Sequence, residues 1–242
     1  MTVNTLARIS CRQMHCVIVT AGLAALIVAG VADAAAPVTG DYWAYRVLNG
    51  YNREVRGKLD YRVDRADTDR VAVAVTTDNA ALGSSRTEVY AARGGWIRHP
   101  LINHDQYVDY EFAQPYPAYD FPLDSGKSWS TRVGATNTAT HQRVSVRVDG
   151  EVLGAERITV PAGTFDTIKI RRRIYAGDFD GSKAETAITE TEWYAPALGR
   201  AVRLESNSGY MDQARCSDEM SSCTPVRGDW HIFELVETGA AR

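Results

Sequence analysis

Hydrophobic and polar residues alternate with a period of two along much of the chain. Every second residue is valine in residues 70–75, and the same holds for residues 143–148. Alternation of this kind is typical of β-strands that bury one face and expose the other. Further segments with strand character are 42–49, 57–64, 86–92, 128–134, 156–160, 164–176, 184–195, 200–206 and 229–237.

No segment after residue 34 shows an apolar stripe of helical period over ten or more residues. Closely spaced strands without helices for crossovers pair mainly with their sequence neighbours, in the antiparallel sense. The sequence therefore predicts an all-β fold. We expect a single curved antiparallel sheet with meander topology, shaped as a half-barrel or as a partly closed barrel or sandwich, in one domain that spans residues 35–242.

The N-terminal 34 residues have the layout of a secretory signal peptide. Arg8 and Arg12 precede an apolar run over residues 17–32, and Ala32 and Ala34 place small residues before the scissile bond. Cleavage is therefore predicted after Ala34. An uncleaved anchor helix is the alternative, although the run is near the shortest length that spans a bilayer. The mature protein is expected to be periplasmic or secreted, with no integral membrane span.

Two cysteines, Cys216 and Cys223, follow the predicted signal peptide and enclose the segment CSDEMSSC. An even pair at this spacing in an exported chain favours a disulfide that closes a short loop. Zinc would need more ligands than this segment holds, and His99, His104 and Asp105 fall short of a zinc set unless their loop folds back. No metal and no cofactor is predicted.

Composition and motifs limit the classes of function. The chain has 27 basic and 30 acidic residues and a net charge of −3, so no nucleic-acid partner is predicted. The sequence lacks the G-x-S-x-G and H-E-x-x-H motifs of common hydrolases. Glu190 and Glu192 share a strand face and could act as an acid/base pair, but their basic neighbours favour a surface charge ladder.

The stretch ITVPAGTFDTIKI, residues 158–170, predicts a tight hairpin and not a ligand-binding loop. Pro161 fixes φ at the first turn position and Gly163 accepts a left-handed conformation, as in a three-residue hairpin loop with a glycine bulge. Val160 and Thr164 would then be neighbours across the two strands.

The strand that follows this hairpin carries a cation, Arg172, within an apolar row. If an even number of residues connects it to the next strand, Arg172 shares a face with Ile168, Ile170, Ile174, Thr189, Thr191 and Trp193. The opposite face then holds a surface ladder of Lys169, Arg171, Arg173, Glu190 and Glu192. Arg172 is either buried and paired, with Glu185 as the nearest carboxylate on its face, or exposed at the end of the sheet, or part of a cavity open to a ligand.

Residues 101–126 are predicted to form a long loop or cover segment, because Pro115, Pro117 and Pro122 lack the N–H group that a central strand requires. Tyr and Phe side chains give rigid amphipathic surface. The aromatic side chains of this segment therefore either contact a ligand or cap the sheet as part of the core. They are Tyr107, Tyr110, Phe112, Tyr116, Tyr119 and Phe121.

Three segments resemble, in order, the pattern of the domain of unknown function 3108-like family of exported bacterial proteins. They are FPLDSGKSW at 121–129, ITVPAGTFDTIKI at 158–170 and TEWYAPALGRAVRLE at 191–205. The resemblance implies a strongly curved antiparallel sheet similar to the half-barrels of periplasmic lipoprotein carriers, some of which hold apolar ligands. These motifs consist of turn and packing residues, so they specify the fold better than an activity, and no catalytic residue carries over.

We therefore expect a non-catalytic envelope protein that binds a lipid or another apolar or amphipathic ligand. The expected ligand face carries Ile168, Ile170, Arg172 and Trp193, with the aromatic segment as its lid. An alternative is a structural or assembly component that contacts another envelope protein through a sheet edge. A third hypothesis is a hydrolase of envelope substrates that uses Glu190, Glu192 and the histidines.

Overall fold

The computed structural model describes residues 36–91, 94–104, 106–215 and 223–239. In these residues twelve strands form a closed antiparallel barrel. They are β1 (Tyr42–Asn49), β2 (Val55–Ala66), β3 (Arg70–Thr77), β4 (Arg86–Ala91), β5 (Trp96–Asn103), β6 (Gln106–Tyr116), β7 (Ser128–Asn137), β8 (Arg143–Val160), β9 (Gly163–Tyr175), β10 (Ala187–Ala195), β11 (Arg200–Asp212) and β12 (Thr224–Gly239). Short 3₁₀ turns occupy Ala80–Leu82, Pro196–Leu198 and Gln213–Arg215.

The predicted signal peptide, residues 1–34, and Cys216 lie outside the described residues. The signal sequence and the Cys216–Cys223 disulfide therefore stay predictions. Within the four described ranges, no helix has the length and hydropathy of a membrane span.

The barrel is a simple meander in which each strand pairs with its sequence neighbours and β1 pairs with β12. The closing pair runs from Tyr42 opposite Gly239 to Asn49 opposite His231. The predicted all-β antiparallel meander is confirmed, whereas the predicted half-barrel or partly closed form is wrong. Period-two alternation indicates which side chains face the core, but it carries no information on whether the first and last strands meet.

The valine-rich segments form inner walls of the barrel. Val73 and Val75 of β3 and Val146 and Val148 of β8 are buried, as the alternation predicts. β-Branched side chains suit this position because they pack well on a pleated surface. The two predicted strands 143–148 and 156–160 are parts of the single strand β8, whose register with β9 shifts between Val152 and Gly154.

Two strands occupy much of the region in which the prolines predict a cover segment. β5 and β6 form a hairpin whose pairing runs from Trp96 opposite Tyr116 to Asn103 opposite Gln106. Pro115 is accommodated near the end of β6 because the ladder between β6 and β7 covers Tyr110–Phe112 and stops short of it. The prediction that no strand forms here is therefore wrong for β6 and for the end of β5, residues 101–103, and irregular chain occupies residues 117–126.

Two hairpin tips contact the barrel at opposite ends, because a meander places successive connections at alternate ends. At one end the His104 N–H, at the tip of the β5–β6 hairpin, donates to Asp178 Oδ2 at 3.1 Å and to Thr186 Oγ1 at 2.8 Å. At the other end the Ala162 N–H, at the tip of the β8–β9 hairpin, donates to the Leu235 carbonyl at 3.0 Å.

The β8–β9 hairpin has a two-residue loop, because Val160 pairs with Gly163. Gly163 has φ of 140°, a conformation that favours glycine. Thr164 pairs with Thr159. The hairpin prediction is thus confirmed, and the predicted three-residue loop with Val160 beside Thr164 is wrong by one residue.

Candidate functional site

The register of the β9–β10 hairpin places two carboxylates beside Arg172. Tyr175 pairs with Ala187, so an odd number of residues connects the strands, and Arg172 lies opposite Glu190. Side chains opposite each other in an antiparallel pair share a face. The predicted register, which assumed an even connection, is therefore wrong, as is the predicted surface ladder that contained Glu190 and Glu192.

Arg172 and its partners form a buried ionic network, which we call the Arg172 network. The guanidinium donates from Nε to Glu190 Oε2 at 3.0 Å, from Nη1 to the Ala118 carbonyl at 3.2 Å, and from Nη2 to Glu192 Oε2. Arg172 is 2% exposed. The guanidinium also lies 5.8 Å from the ring centre of Trp96 and 5.5 Å from that of Tyr119. Arg172 is thus buried, paired and stacked on aromatic rings at the same time.

Arg172 stays charged in this environment. Burial opposes the charge and would lower the pKa of Arg172, but the neighbouring carboxylates of Glu192 and Glu190 raise that pKa well above its ordinary value. The predicted partner, Glu185, is instead bound to the backbone, since its Oε2 accepts from the Gly177 N–H at 3.1 Å. The predicted partner is therefore wrong, because it rested on the same incorrect register.

Residues 117–123, which we call the plug segment, lie against the inner face of β9 and β10. The Tyr119 hydroxyl donates to Glu192 Oε1 at 2.6 Å, and Trp129 Nε1 donates to the Pro117 carbonyl at 3.2 Å. An apolar cluster joins this segment to the strands; it contains Leu123, Val152, Ile170 and Tyr194, with Tyr119, Phe121, Trp129 and Ile168 packed against it. The plug segment thus covers the apolar residues beside Arg172.

The structure brings together five of the predicted ligand-binding residues: Ile168, Ile170, Arg172, Tyr119 and Phe121. Trp193 lies on the other face of the sheet, opposite Lys169, whose Nζ is 4.8 Å from the centre of the Trp193 ring. Its indole donates to Glu156 Oε2 at 3.0 Å. The predicted placement of Trp193 on the same face as Arg172 is therefore wrong, because it assumed the same incorrect register.

The other predicted aromatic residues lie elsewhere in the barrel. Tyr110, Phe112 and Tyr116 are buried in a separate apolar cluster around Trp96, and the Tyr116 ring stacks on Trp96 at 4.8 Å. The Tyr107 hydroxyl lies 3.0 Å from Nδ1 of His231, on β12. None of these four side chains is therefore part of the apolar cluster of Leu123, Val152, Ile170 and Tyr194, although Tyr116 lies near Glu190 and Arg172.

A second ionic network surrounds Glu88, for which no role was predicted from the sequence. Its carboxylate accepts from Arg86 at 2.7 Å, lies 3.1 Å from Nδ1 of His99, and accepts from the Tyr90 hydroxyl. Glu88 is 1% exposed. The spacing of these residues could have indicated the network. Arg86, Glu88 and Tyr90 occupy every second position of one strand, so their side chains must share a face.

Glu88 is ionised in the folded protein. Burial alone would raise the pKa of Glu88, but its electrostatic and hydrogen-bond interactions with His99 and Arg86 outweigh burial and hold the pKa far below its usual range. The Glu88 network is therefore a stabilising arrangement at neutral pH, in which one carboxylate satisfies donors from three side chains.

A third arginine, Arg200, lies among aromatic rings from three other strands. Its guanidinium is 4.7 Å from the ring centre of Trp43 on β1, 4.4 Å from that of Tyr61 on β2 and 5.9 Å from that of Tyr90 on β4. Burial opposes the charge of Arg200, but Tyr45 and the other neighbouring groups raise the pKa of Arg200 overall. The interior therefore holds a permanently charged guanidinium in contact with three rings.

The fold and the interior together define a class of protein: a closed antiparallel meander barrel with ionic networks and an irregular segment inside it. Among the described residues, no group of three or more His, Cys, Asp or Glu side chains is placed to hold a metal ion. The geometry of the inner face of β9 and β10 fits an apolar contact surface with a charged centre.

Residues 116–210 match the sequence profile of the DUF3108-like family. This match confirms the resemblance carried by the three sequence segments, since all of them lie within it. The family is a domain of unknown function. No curated protein matches the chain.

Three solved structures are similar to this chain. A candidate lipoprotein from Parabacteroides distasonis shows 16% identity and a TM-score of 0.49, with 84% of this chain and 97% of that chain covered. A candidate exported protein with a YmcC-like fold from Bacteroides fragilis shows 15% identity and a TM-score of 0.48, with coverage of 86% and 99%. The hypothetical lipoprotein YmcC from Escherichia coli (K12) shows 7% identity and a TM-score of 0.39, with coverage of 84% and 86%.

Proposed function

We propose that this chain is an exported, non-catalytic binding protein that holds an apolar or amphipathic ligand inside the barrel. The ligand would lie on the inner face of β9 and β10, in the place of the plug segment. The signal-peptide pattern of the N-terminal 34 residues supports export to the cell envelope. The apolar cluster between the plug segment and these strands supports the ligand class.

The observation that carries this proposal is that part of the inner apolar wall is covered by irregular chain. Ile168, Ile170 and Tyr194 belong to the barrel wall, whereas Tyr119, Phe121 and Leu123 belong to the plug segment. Irregular segments rearrange at lower cost than strands held in a ladder. A ligand with an apolar chain can therefore replace the contacts of Tyr119 and Phe121 while the barrel itself stays intact.

Two other hypotheses fit the geometry less well. Assembly through a sheet edge would use an exposed strand, but β1 and β12 pair with each other and thereby occupy both terminal edges of the meander. Acid/base catalysis by Glu190 and Glu192 would require these carboxylates to reach a substrate, but both are buried and accept hydrogen bonds from Arg172. Ligand binding is supported better, because it requires only that the plug segment is displaced from the apolar wall.

The plug segment gives the first test. Tyr119→Phe removes the hydrogen bond to Glu192 and keeps the ring, so displacement of the plug segment should become easier by about 1 kcal/mol. We therefore expect about fivefold tighter binding of the apolar fluorescent probe N-phenyl-1-naphthylamine, measured by fluorescence titration of the mature protein. A matched control is Tyr175→Phe, because Tyr175 is half-buried near the end of β9 and stacks with Arg147 and Arg173 instead of a carboxylate.

The proposal requires that bacterial envelope lipids compete with the probe. Saturable probe binding that phospholipid or free fatty acid displaces, with the Tyr119→Phe variant tighter than both wild type and Tyr175→Phe, is the expected result. Absence of saturable probe binding to all three proteins would contradict the proposal. So would probe binding that no envelope lipid displaces.

A further inference from the structure

Arg200 and three aromatic rings meet inside the barrel. The rings of Trp43, Tyr61 and Tyr90 come from β1, β2 and β4, whereas Arg200 comes from β11, so the contacts cross the interior. Tyr61, Tyr90 and Arg200 are nevertheless half-buried and not fully buried. These residues are therefore only partly removed from solvent.

Arg200 differs from the other two interior arginines in its charge partners. Arg86 is paired with Glu88, and Arg172 is paired with two carboxylates. Within the part of the chain that the structure describes, Arg200 forms no salt bridge. The nearby carboxylate of Glu88 already accepts from Arg86 and Tyr90 and contacts His99.

An arginine in this setting is a suitable binding site for an anion. Removal of a charge from bulk water is unfavourable unless the charge gains a partner, and aromatic rings compensate only part of this cost. The planar guanidinium offers several N–H donors that match the two oxygens of a carboxylate or the oxygens of a phosphate. Aromatic rings around it limit the access of water to the guanidinium.

The position of Arg200 connects it to the proposed ligand face. Arg200 pairs with Ala195, and the next residue, Ala201, pairs with Tyr194. Tyr194 is part of the apolar cluster on the inner face of β9 and β10. This pairing shows that Arg200 and Tyr194 are close, but successive residues of a strand alternate in direction. The Tyr45 side chain links the two regions, because its hydroxyl donates to the Ala201 carbonyl at 2.6 Å and both Arg200 and Glu192 act on its pKa. A single elongated molecule that reaches past Tyr45 can contact the apolar cluster and Arg200 at the same time.

We propose that Arg200, with Trp43, Tyr61 and Tyr90, binds a carboxylate or phosphate group that is the head group of an amphipathic ligand. This inference rests on the proposed function and specifies its ligand class: an acid with one alkyl chain. The apolar chain lies along the inner face of β9 and β10, and the head group accepts hydrogen bonds from the Arg200 guanidinium.

Calorimetric titration of the mature protein tests this assignment with five probes: decanoate, decyl phosphate, decanol, acetate and inorganic phosphate. We expect decanoate and decyl phosphate to bind at least tenfold more tightly than decanol. Arg200→Gln should remove this preference and leave decanol binding unchanged. The matched control is Arg62→Gln, because Arg62 is exposed on β2. Arg200→Lys, which keeps the charge and loses the planar fork, should retain part of the preference.

Thermal unfolding of each variant shows whether it is folded before titration. If Arg200→Gln does not fold, Arg200→Lys is compared with the wild type instead. Equal affinity for decanoate and decanol in the wild type overturns the head-group assignment and leaves the proposed function in place. An unchanged preference in Arg200→Gln also overturns it. Binding of acetate or phosphate that depends on Arg200, without binding of decanol or decanoate, assigns the site to a free anion and overturns the amphipathic ligand. No binding of any probe overturns both proposals.

Discussion

Replacement of Arg172 with methionine is expected to lower the free energy of unfolding by about 3–5 kcal/mol at neutral pH. The substitution leaves the buried carboxylates of Glu190 and Glu192 without their cation, and it leaves the Ala118 carbonyl without a donor. Removal of one partner of a buried ionic group costs more than the pair itself contributes, because the remaining charge stays out of water. Urea unfolding followed by tryptophan fluorescence measures the change.

The neighbouring residue supplies the control. Arg171→Met breaks the salt bridge between Arg171 and Glu151, whose side chains are 54% and 41% exposed, so the expected loss is under about 1 kcal/mol. Equal losses for the two variants would show that Arg172 is not the centre of a buried network.

Replacement of Glu88 with glutamine is expected to lower the free energy of unfolding by about 2–3 kcal/mol at pH 7. Glutamine keeps one acceptor oxygen, but it removes the negative charge that Arg86 and His99 surround. The matched control is Glu151→Gln, which removes an exposed partner of Arg171 and should cost under about 1 kcal/mol.

The pH dependence of the Glu88 effect has a definite sign. The pKa of Glu88 is lower in the folded protein than its ordinary value of 4.5. Its contribution to stability is therefore complete above that value and is lost as pH falls towards the folded pKa. We expect the stability difference between wild type and Glu88→Gln to be constant from pH 7 to about pH 5.5 and to decrease below pH 4.5. A difference that grows on acidification would be inconsistent with an ionised Glu88 in the fold.

Local patterning predicted most of the strands but not the closure of the barrel. The bounds of β1 agree with the predicted segment 42–49, and the valine alternation correctly identifies the inner walls of β3 and β8. The sequence did not predict β6, because Pro115 argues against a strand unless one knows that the β6–β7 ladder ends before it. Closure depends on the pairing of β1 with β12, which are far apart in sequence.

The candidate site shows how one unknown connection length limits a prediction. Arg172 was correctly identified as a cation in an apolar row, but the parity of the β9–β10 connection decides whether Glu190 or Thr191 shares its face. A change of one residue in the assumed length moved Trp193 to the wrong face and excluded both carboxylates. The Arg200 site was beyond local patterning, because its three rings come from separate strands.

The central claim is that an amphipathic ligand binds inside the barrel, on the inner face of β9 and β10. Photolabelling tests it most directly: the protein without residues 1–34 is irradiated with a long-chain fatty acid that carries a diazirine on its alkyl chain, and the labelled residues are mapped by mass spectrometry. We expect labels on Ile168, Ile170, Tyr194 and residues 117–123, and we expect unlabelled oleate to suppress them. Labels confined to outer-face side chains such as Lys169, Arg171 and Arg173, or labels that oleate does not suppress, would contradict the claim.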